Sequence, residues 1–157
     1  MREFLPDDAA TGVLAKRLAV ALPKDTGGLT LLLRGELGAG KSTFARALIR
    51  ALGHEGPVPS PTYTLVEPYE VSAGNVYHID LYRIASEEEL RYLGWTELDE
   101  GFRIVEWPDR APGIVAAADL LLMLEYREPG RQAELEGLTA AGEAIVARVL
   151  AVTEPVD

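Results

Sequence analysis

The fold of this 157-residue chain is decided by the stretch Gly35-Glu36-Leu37-Gly38-Ala39-Gly40-Lys41-Ser42. It matches the phosphate-binding pattern G-x-x-x-x-G-K-[ST] at every fixed position. Its glycines let the backbone curl so that consecutive N–H groups point inward at an anion. Residues 29–33, before the loop, are typical of a short buried strand. Residues 41–52, after it, are typical of an amphipathic helix whose positive end faces the same anion. The stretch therefore predicts a P-loop.

Three side chains at the end of the loop carry the expected chemistry. Lys41 can reach the β- and γ-phosphates of a nucleotide as a point charge, and the Ser42 hydroxyl can bind Mg²⁺. Thr43 supplies the next hydroxyl in the first turn of the helix. The remaining predicted nucleotide contacts come from the loop itself, namely from Glu36, Leu37, Gly38, Ala39 and Gly40.

Two carboxylates that end apolar segments are candidates for the metal and the attacking water, which a P-loop site also needs. Residues 76–80 end in Asp80 and residues 102–106 end in Glu106, so both acids count as possible metal ligands and catalytic groups. We assign Asp80 to the metal and Glu106 to the water, and the reverse assignment is open. His78 lies on the same strand face as Asp80. It either orients Asp80, assists proton transfer or is a hydrogen-bonded core histidine.

The rest of the chain predicts an α/β protein. Pro6-Asp7-Asp8 can start a helix that runs to about Leu22, and residues 57–62 form a stiff proline-rich loop. Ser86 is the expected cap of a short helix. The other expected elements are a hairpin of residues 63–69 and 76–81, strands at 102–106 and 120–126, an edge strand at 133–138 and a helix at 140–152. We expect a P-loop NTPase-like three-layer fold with a mixed, mainly parallel sheet, an antiparallel portion and a single domain over residues 1–157.

Composition limits the possible partners. The formal net charge is −10, from 15 Lys and Arg against 25 Asp and Glu, and no basic stripe is visible. Because gripping a nucleic-acid backbone requires such a stripe, we expect no DNA binding and only indirect contact with RNA. The chain has no cysteine, which excludes disulfides, thiolate catalysis and Cys-ligated zinc. No signal peptide or membrane-length apolar run is visible, so we expect a soluble, cytoplasmic protein without a membrane partner.

Four motifs occur in an order and spacing similar to those of a known family. They are the P-loop, the run SPTYTLVEPY at residues 60–69, HIDLYR at residues 78–83, and Glu106-Trp107-Pro108. Together they resemble the TsaE family, also called YjeE, the bacterial ATPase of tRNA threonylcarbamoyladenosine synthesis. The resemblance covers nearly the whole chain and is strongest from about residue 29 to residue 126.

The resemblance implies an ATP- and Mg²⁺-dependent P-loop ATPase, weak alone and activated by homologues of TsaB and TsaD. Those partners, and not this subunit, complete the transfer of threonylcarbamoyl to adenosine 37 of tRNAs that read ANN codons. ATP, and not GTP, is expected on the resemblance alone. Its tRNA contact would be only indirect, through the complex.

The resemblance also carries roles onto single positions. Lys41, Ser42 and Thr43 match the phosphate and Mg²⁺ positions, and Asp80 matches the Walker B-like acid. Glu106 and Trp107 match an acid–tryptophan pair linked to ATPase function, while Thr62 and Thr64 lie in a loop that resembles a switch near the γ-phosphate. Ser42 and Glu36 replace the family's usual threonine and aspartate, which keeps the hydroxyl and the carboxylate.

Two other functions remain compatible with a P-loop. A small-molecule kinase usually closes a mobile, arginine-rich lid over the phosphates, and Arg127 with Arg131 are the nearest approach to one. A nucleotide-dependent switch module with negligible turnover is the other alternative, since no arginine finger can be identified. A GTPase is less favoured because the chain has no Asn-Lys-x-Asp run.

Overall fold

A computed structural model of the chain, which describes residues 1–152, contains one seven-stranded sheet. Its strands are β1 (Arg2–Leu5), β2 (Thr30–Arg34), β3 (Val66–Val71), β4 (Gly74–Asp80), β5 (Phe102–Glu106), β6 (Leu120–Arg127) and β7 (Gly130–Gly137). The helices are α1 (Asp8–Ala21), α2 (Lys41–Ala51), α3 (Glu89–Tyr92), α4 (Pro112–Ala117) and α5 (Ala140–Ala151). Two 3-10 turns cover Glu97–Glu100 and Pro108–Arg110.

The strand order is β1-β7-β6-β2-β5-β4-β3. The four central strands β6, β2, β5 and β4 run parallel, whereas β3, β7 and β1 each pair antiparallel with their neighbours. The α/β class and the mixed sheet with a parallel middle and antiparallel portions are therefore confirmed.

Helices cover both faces of the sheet. Because successive side chains of a strand point to opposite faces, Leu31 and Leu33 of β2 pack in the core beneath α1, α2 and α5. Leu32, between them, packs in a second core beneath α3 and α4. A strand that is buried on both faces is typical of a parallel sheet enclosed by helices. No helix within residues 1–152 has the length and hydropathy that crossing a membrane requires.

The outer strands differ from the sequence-based expectation. The segment expected as an edge strand at 133–138 is β7, and it lies inside the sheet between β6 and β1. The edge is formed by β1, which the sequence analysis did not identify. Its four residues carry two charges and only Leu5 is fully buried, so they show no run or alternation of apolar residues. The edge assignment was wrong because pairing with β1 depends on contacts more than a hundred residues apart.

Two local predictions also need correction. The hairpin's first strand begins at Val66 and not at residue 63, because Leu65 adopts a left-handed conformation (φ 68°) and its N–H donates to the Pro61 carbonyl. The expected serine cap is absent: α3 follows Glu88 without a side-chain cap, and Ser86 contributes only its backbone carbonyl. The Glu89 carboxylate instead reaches back to the Ala85 N–H.

The sheet brings the candidate residues together at the carboxyl ends of its parallel strands. Parallel strands β2, β5 and β4 end side by side, with Leu33 in register with Glu106 and Glu106 in register with Asp80. In open α/β sheets, ligands bind outside the carboxyl ends of such strands. The P-loop, which follows β2 directly, therefore lies next to both acids.

Candidate functional site

The P-loop joins β2 to α2 in a conformation that needs glycine. Gly38 (φ 79°) and Gly40 (φ 104°) adopt left-handed backbone conformations, which L side chains rarely occupy. At Gly40 an added Cβ would also lie 3.1 Å from Arg131 Nε. Helix α2 begins at the next residue, Lys41, so its free N–H groups and positive dipole end face the loop.

A cavity of about 320 Å³ opens at the start of α2. Its lining consists of Leu37, Gly38, Gly40, Lys41, Ser42, Thr43, Thr62, Asp80, Glu106, Trp107 and Arg131. A larger groove of about 980 Å³ lies beside it and shares Leu37 and Trp107 with it. The ionisable and hydroxyl groups that phosphate and metal chemistry needs line the smaller cavity, which is therefore the candidate site.

Lys41 is held by its own loop. Its ammonium donates hydrogen bonds to the carbonyl oxygens of Gly35 and Glu36, the latter at 2.9 Å. It also lies 4.3 Å above the centre of the Trp107 ring, within cation–π range. Burial lowers the pKa of Lys41, and the negative charges of Glu106 and Asp80 oppose that shift. The ammonium is thus placed at the cavity but bound to carbonyls that an anion would replace.

Ser42 and Glu106 are directly hydrogen-bonded to each other. The Ser42 hydroxyl donates to Glu106, at 3.0 Å from Oε1 and 3.3 Å from Oε2. Glu106 is only 2% exposed, and His78 Nε2 lies 2.6 Å from its Oε2. A buried carboxylate needs such donors because it has lost its hydration. His78 therefore contacts Glu106 and not Asp80. Its burial and hydrogen bond agree with the alternative of a hydrogen-bonded core histidine.

Asp80 is joined to the proline-rich loop. The Thr62 hydroxyl donates to Asp80 Oδ2 at 3.2 Å, and the Tyr82 N–H donates to Oδ1 at 2.9 Å. The Asp80 N–H in turn donates to the carbonyl of Leu65, the residue with the left-handed conformation. Asp80 thus connects the end of β4 to the loop that carries Thr62.

The donor set fits a magnesium ion that is shared with phosphates. Within residues 1–152, no three His, Asp or Glu side chains lie close enough together to hold a metal by themselves. Mg²⁺ normally takes one or two protein oxygen ligands, substrate phosphates and water. The Ser42 hydroxyl and the Glu106 carboxylate offer hard oxygen donors of that kind beside the P-loop.

Comparison with known proteins gives a consistent result. Residues 5–134 match the family model described as "Threonylcarbamoyl adenosine biosynthesis protein TsaE". The chain belongs to the TsaE family. It is 35% identical to the tRNA threonylcarbamoyladenosine biosynthesis protein TsaE of Haemophilus influenzae, over 93% of this chain and 95% of that protein. The identity with the Aquifex aeolicus protein of the same name is 37%, over 82% and 90% of the two chains.

A solved structure shows the same fold. The crystal structure of Bacillus subtilis YdiB matches 98% of this chain and 95% of its own with a TM-score of 0.73, at 23% sequence identity. The family model and the two relatives confirm the recognition of a TsaE-family sequence from its four motifs. The structural match confirms the fold class.

Most of the site residues predicted from sequence line the cavity, but three do not. The Thr64 hydroxyl donates to Glu67 at 2.9 Å on the exposed surface, and Thr64 does not line the cavity. The side chain of Glu36 is exposed and only its carbonyl contacts Lys41, while Ala39 is buried behind the loop. For these three the structure provides no side-chain contact with the site.

Arg131 lines the site although it was not among the site residues predicted from sequence. Strand β7 places its guanidinium over Gly40, where Nη2 donates to the Gly38 carbonyl at 3.2 Å and Nη1 pairs with Asp8 at 2.9 Å. Arg131 lies beyond residue 126, where the resemblance to TsaE is weaker, and it was named only with Arg127 as the nearest approach to an arginine-rich lid. Its position depends on the β6–β7 hairpin and could not be read from neighbouring residues.

Trp107, which lines the cavity, provides an optical test of the site. The Trp107 ring contacts both the Lys41 ammonium and the Tyr82 ring, whose centre is 5.0 Å from its own. The Trp107 backbone is left-handed (φ 57°). We expect Mg²⁺ and ATP to draw the Lys41 ammonium off the indole and change its emission. In Trp95→Phe, which leaves Trp107 as the only tryptophan, a fluorescence titration with ATP should show the change. Trp107→Phe is the matched control, and an equal signal from both variants would contradict the prediction.

Proposed function

We propose that this TsaE-family chain is the Mg²⁺-dependent, ATP-binding and ATP-hydrolysing subunit that supports cytoplasmic homologues of TsaB and TsaD. Together they would form threonylcarbamoyladenosine at position 37 of tRNAs that read ANN codons. Membership of the TsaE family supports the role in tRNA modification. The ATPase activity is argued from the candidate site, and above all from one contact.

That contact is the hydrogen bond from Ser42 to the buried Glu106. A serine hydroxyl that donates its proton to a carboxylate keeps its oxygen lone pairs free for a cation. In P-loop NTPases, Mg²⁺ is held by the loop's Ser or Thr together with an acid of the Walker B strand. Here β5, which ends in Glu106, pairs directly with β2, the strand that leads into the P-loop. We therefore assign Glu106 to the metal.

Asp80 is then the candidate for the attacking water. It lies one strand further from the P-loop, and its partner is Thr62 in the loop that resembles a switch near the γ-phosphate. A carboxylate in that position can accept a proton or orient water at the far side of the γ-phosphate. This assignment reverses the one made from sequence, where both were considered.

Two features of the site support slow turnover without a partner. Lys41 is bound to the carbonyls of its own loop. Of the arginines in the described chain, Arg131 alone lines the cavity, and it is already engaged by Asp8 and Gly38. An arginine supplied by a second protein is a common way to complete a P-loop site. The net charge of −10 also favours a partner as the holder of tRNA.

Phosphate release from ATP tests the proposal. We expect slow release by the chain alone and at least about a tenfold increase when the TsaB–TsaD pair is added, which is well below the roughly 1,000- to 100,000-fold that a supplied arginine can contribute. The measurement is steady-state phosphate release with and without the pair. The pair mixed with Lys41→Ala is the control for contaminating ATPase. Tight nucleotide binding without stimulation would instead support a switch module with negligible turnover.

A further inference from the structure

His78 is a buried polar residue whose contact the P-loop motif does not require. It lies on β4 two residues before Asp80, is 1% exposed, and has Ile104 as its register partner on β5. Its Nε2 lies 2.6 Å from Glu106 Oε2. A carboxylate that binds a metal is ionised and can only accept, so in that role of Glu106 the Nε2 atom carries the proton and donates it. His78 is therefore a hydrogen-bond donor to Glu106.

The other ring nitrogen has no partner. Within the described chain, His78 Nδ1 is buried and makes no hydrogen bond. An unpaired buried acceptor is unfavourable, and an apolar side chain of similar size would avoid that cost. Packing alone therefore does not account for a histidine at this position. The hydrogen bond to Glu106 is the interaction that only a donor can make.

Glu106 is held from two sides. Ser42 lies nearer to Oε1, at 3.0 Å, while His78 approaches Oε2 at 2.6 Å. With donors at both oxygens, the carboxylate cannot turn about its last bond without losing one of them. A hydrogen-bond donor of this kind orients the carboxylate of a metal site, and its loss commonly weakens metal binding. Without His78, Ser42 would be the only side-chain donor that residues 1–152 offer to the two oxygens, and a single donor would hold the carboxylate plane less firmly.

We propose that His78 is a positioning residue for the Mg²⁺ site. It holds the Glu106 carboxylate so that Oε1 keeps the Ser42 hydroxyl turned towards the cation. The proposal rests on the proposed function and deepens it, since it needs Glu106 and Ser42 to serve a metal. The imidazole does not touch the nucleotide. Its loss should weaken Mg²⁺ dependence and leave metal-free nucleotide binding almost unchanged.

The test compares two amide variants that differ in reach. Gln at this position places an N–H donor at about the distance of Nε2, whereas Asn is too short. We expect His78→Asn to raise the Mg²⁺ concentration that half-saturates binding of a fluorescent ATP analogue by about 10–100-fold, the usual effect of losing such a partner. Binding of the same analogue in EDTA should stay within about twofold of wild type. His78→Gln should recover most of the Mg²⁺ dependence.

Controls separate the possible outcomes. His54, the other histidine, contacts the Pro57 carbonyl and Tyr69, and His54→Gln should match wild type. His78→Leu repeats the test if thermal melting shows that His78→Asn is unfolded. Unchanged Mg²⁺ dependence in a folded His78→Asn or His78→Leu chain would overturn the inference but not the proposed function. An equal loss of analogue binding with Mg²⁺ and with EDTA would do the same. No Mg²⁺ dependence in the wild-type chain would overturn the proposed function and the inference together.

Discussion

Lys41→Ala should abolish ATP hydrolysis and leave the chain folded. The Lys41 ammonium lies at the N-terminus of α2, and its two hydrogen bonds go to carbonyls of the P-loop itself. No distant element of the described chain depends on it for a hydrogen bond. Removal of a preorganised charge that faces a transferred group usually costs about 100- to 1,000-fold in rate. We expect a loss of at least that size in phosphate release.

The fold should tolerate Lys41→Ala because the losses and gains in the free energy of unfolding are both small. The variant loses two local hydrogen bonds and the contact with Trp107, but it also removes a buried ammonium whose pKa is lowered by desolvation. A net change of about 1 kcal/mol would shift the melting temperature by only about 2–4 °C for a chain of this size. Thermal unfolding followed by circular dichroism measures that shift.

A matched variant makes the result specific. Lys24 is an exposed lysine in the connection between α1 and β2, and Lys24→Ala should hydrolyse ATP at the wild-type rate. Wild-type hydrolysis by Lys41→Ala would show that the P-loop lysine has no part in the reaction. A Lys41→Ala chain that melts far below wild type would show instead that the lysine is structural.

The predictable part of this molecule is the part with local signals. The P-loop was identifiable because glycine positions, a lysine and a hydroxyl occur at fixed spacing between an apolar strand and an amphipathic helix. Asp80 and Glu106 could be placed because each ends an apolar segment that has strand character. Parallel pairing of these segments then brings their ends to one edge of the sheet, as the register shows.

The unpredicted part depends on contacts between distant segments. Arg131 reaches Gly38 only because β7 pairs with β6 and β1, and β1 itself has no apolar pattern. The partner of His78 depended on diagonal placement across two strands, since face alternation alone directed it towards Asp80. Leu65 adopts a left-handed backbone conformation although it is not a glycine. Because such a conformation is uncommon for leucine, the residue type gave no sign that β3 begins only at Val66.

Glu106→Gln and Asp80→Asn should separate the metal from the water. Both changes keep the size of the side chain and remove its charge, so packing is matched. Since Glu106 is assigned to the metal with Ser42, its loss should cost at least as much as the loss of a partner behind a ligand. We therefore expect Glu106→Gln to raise the Mg²⁺ concentration needed for nucleotide binding by at least about 10-fold and to reduce hydrolysis with it. Nucleotide binding in EDTA should change little.

Asp80→Asn should behave differently because Asp80 contacts Thr62 and not the P-loop hydroxyl. We expect near-wild-type Mg²⁺ dependence of binding and a loss of about 100- to 10,000-fold in single-turnover hydrolysis, as when a general base is removed. Measuring both quantities for both variants gives a crossed comparison. The reverse pattern would return Asp80 to the metal and Glu106 to the water. An equal loss of metal-free binding in Asp80→Asn would mean that Asp80 chiefly holds the Thr62 loop in place.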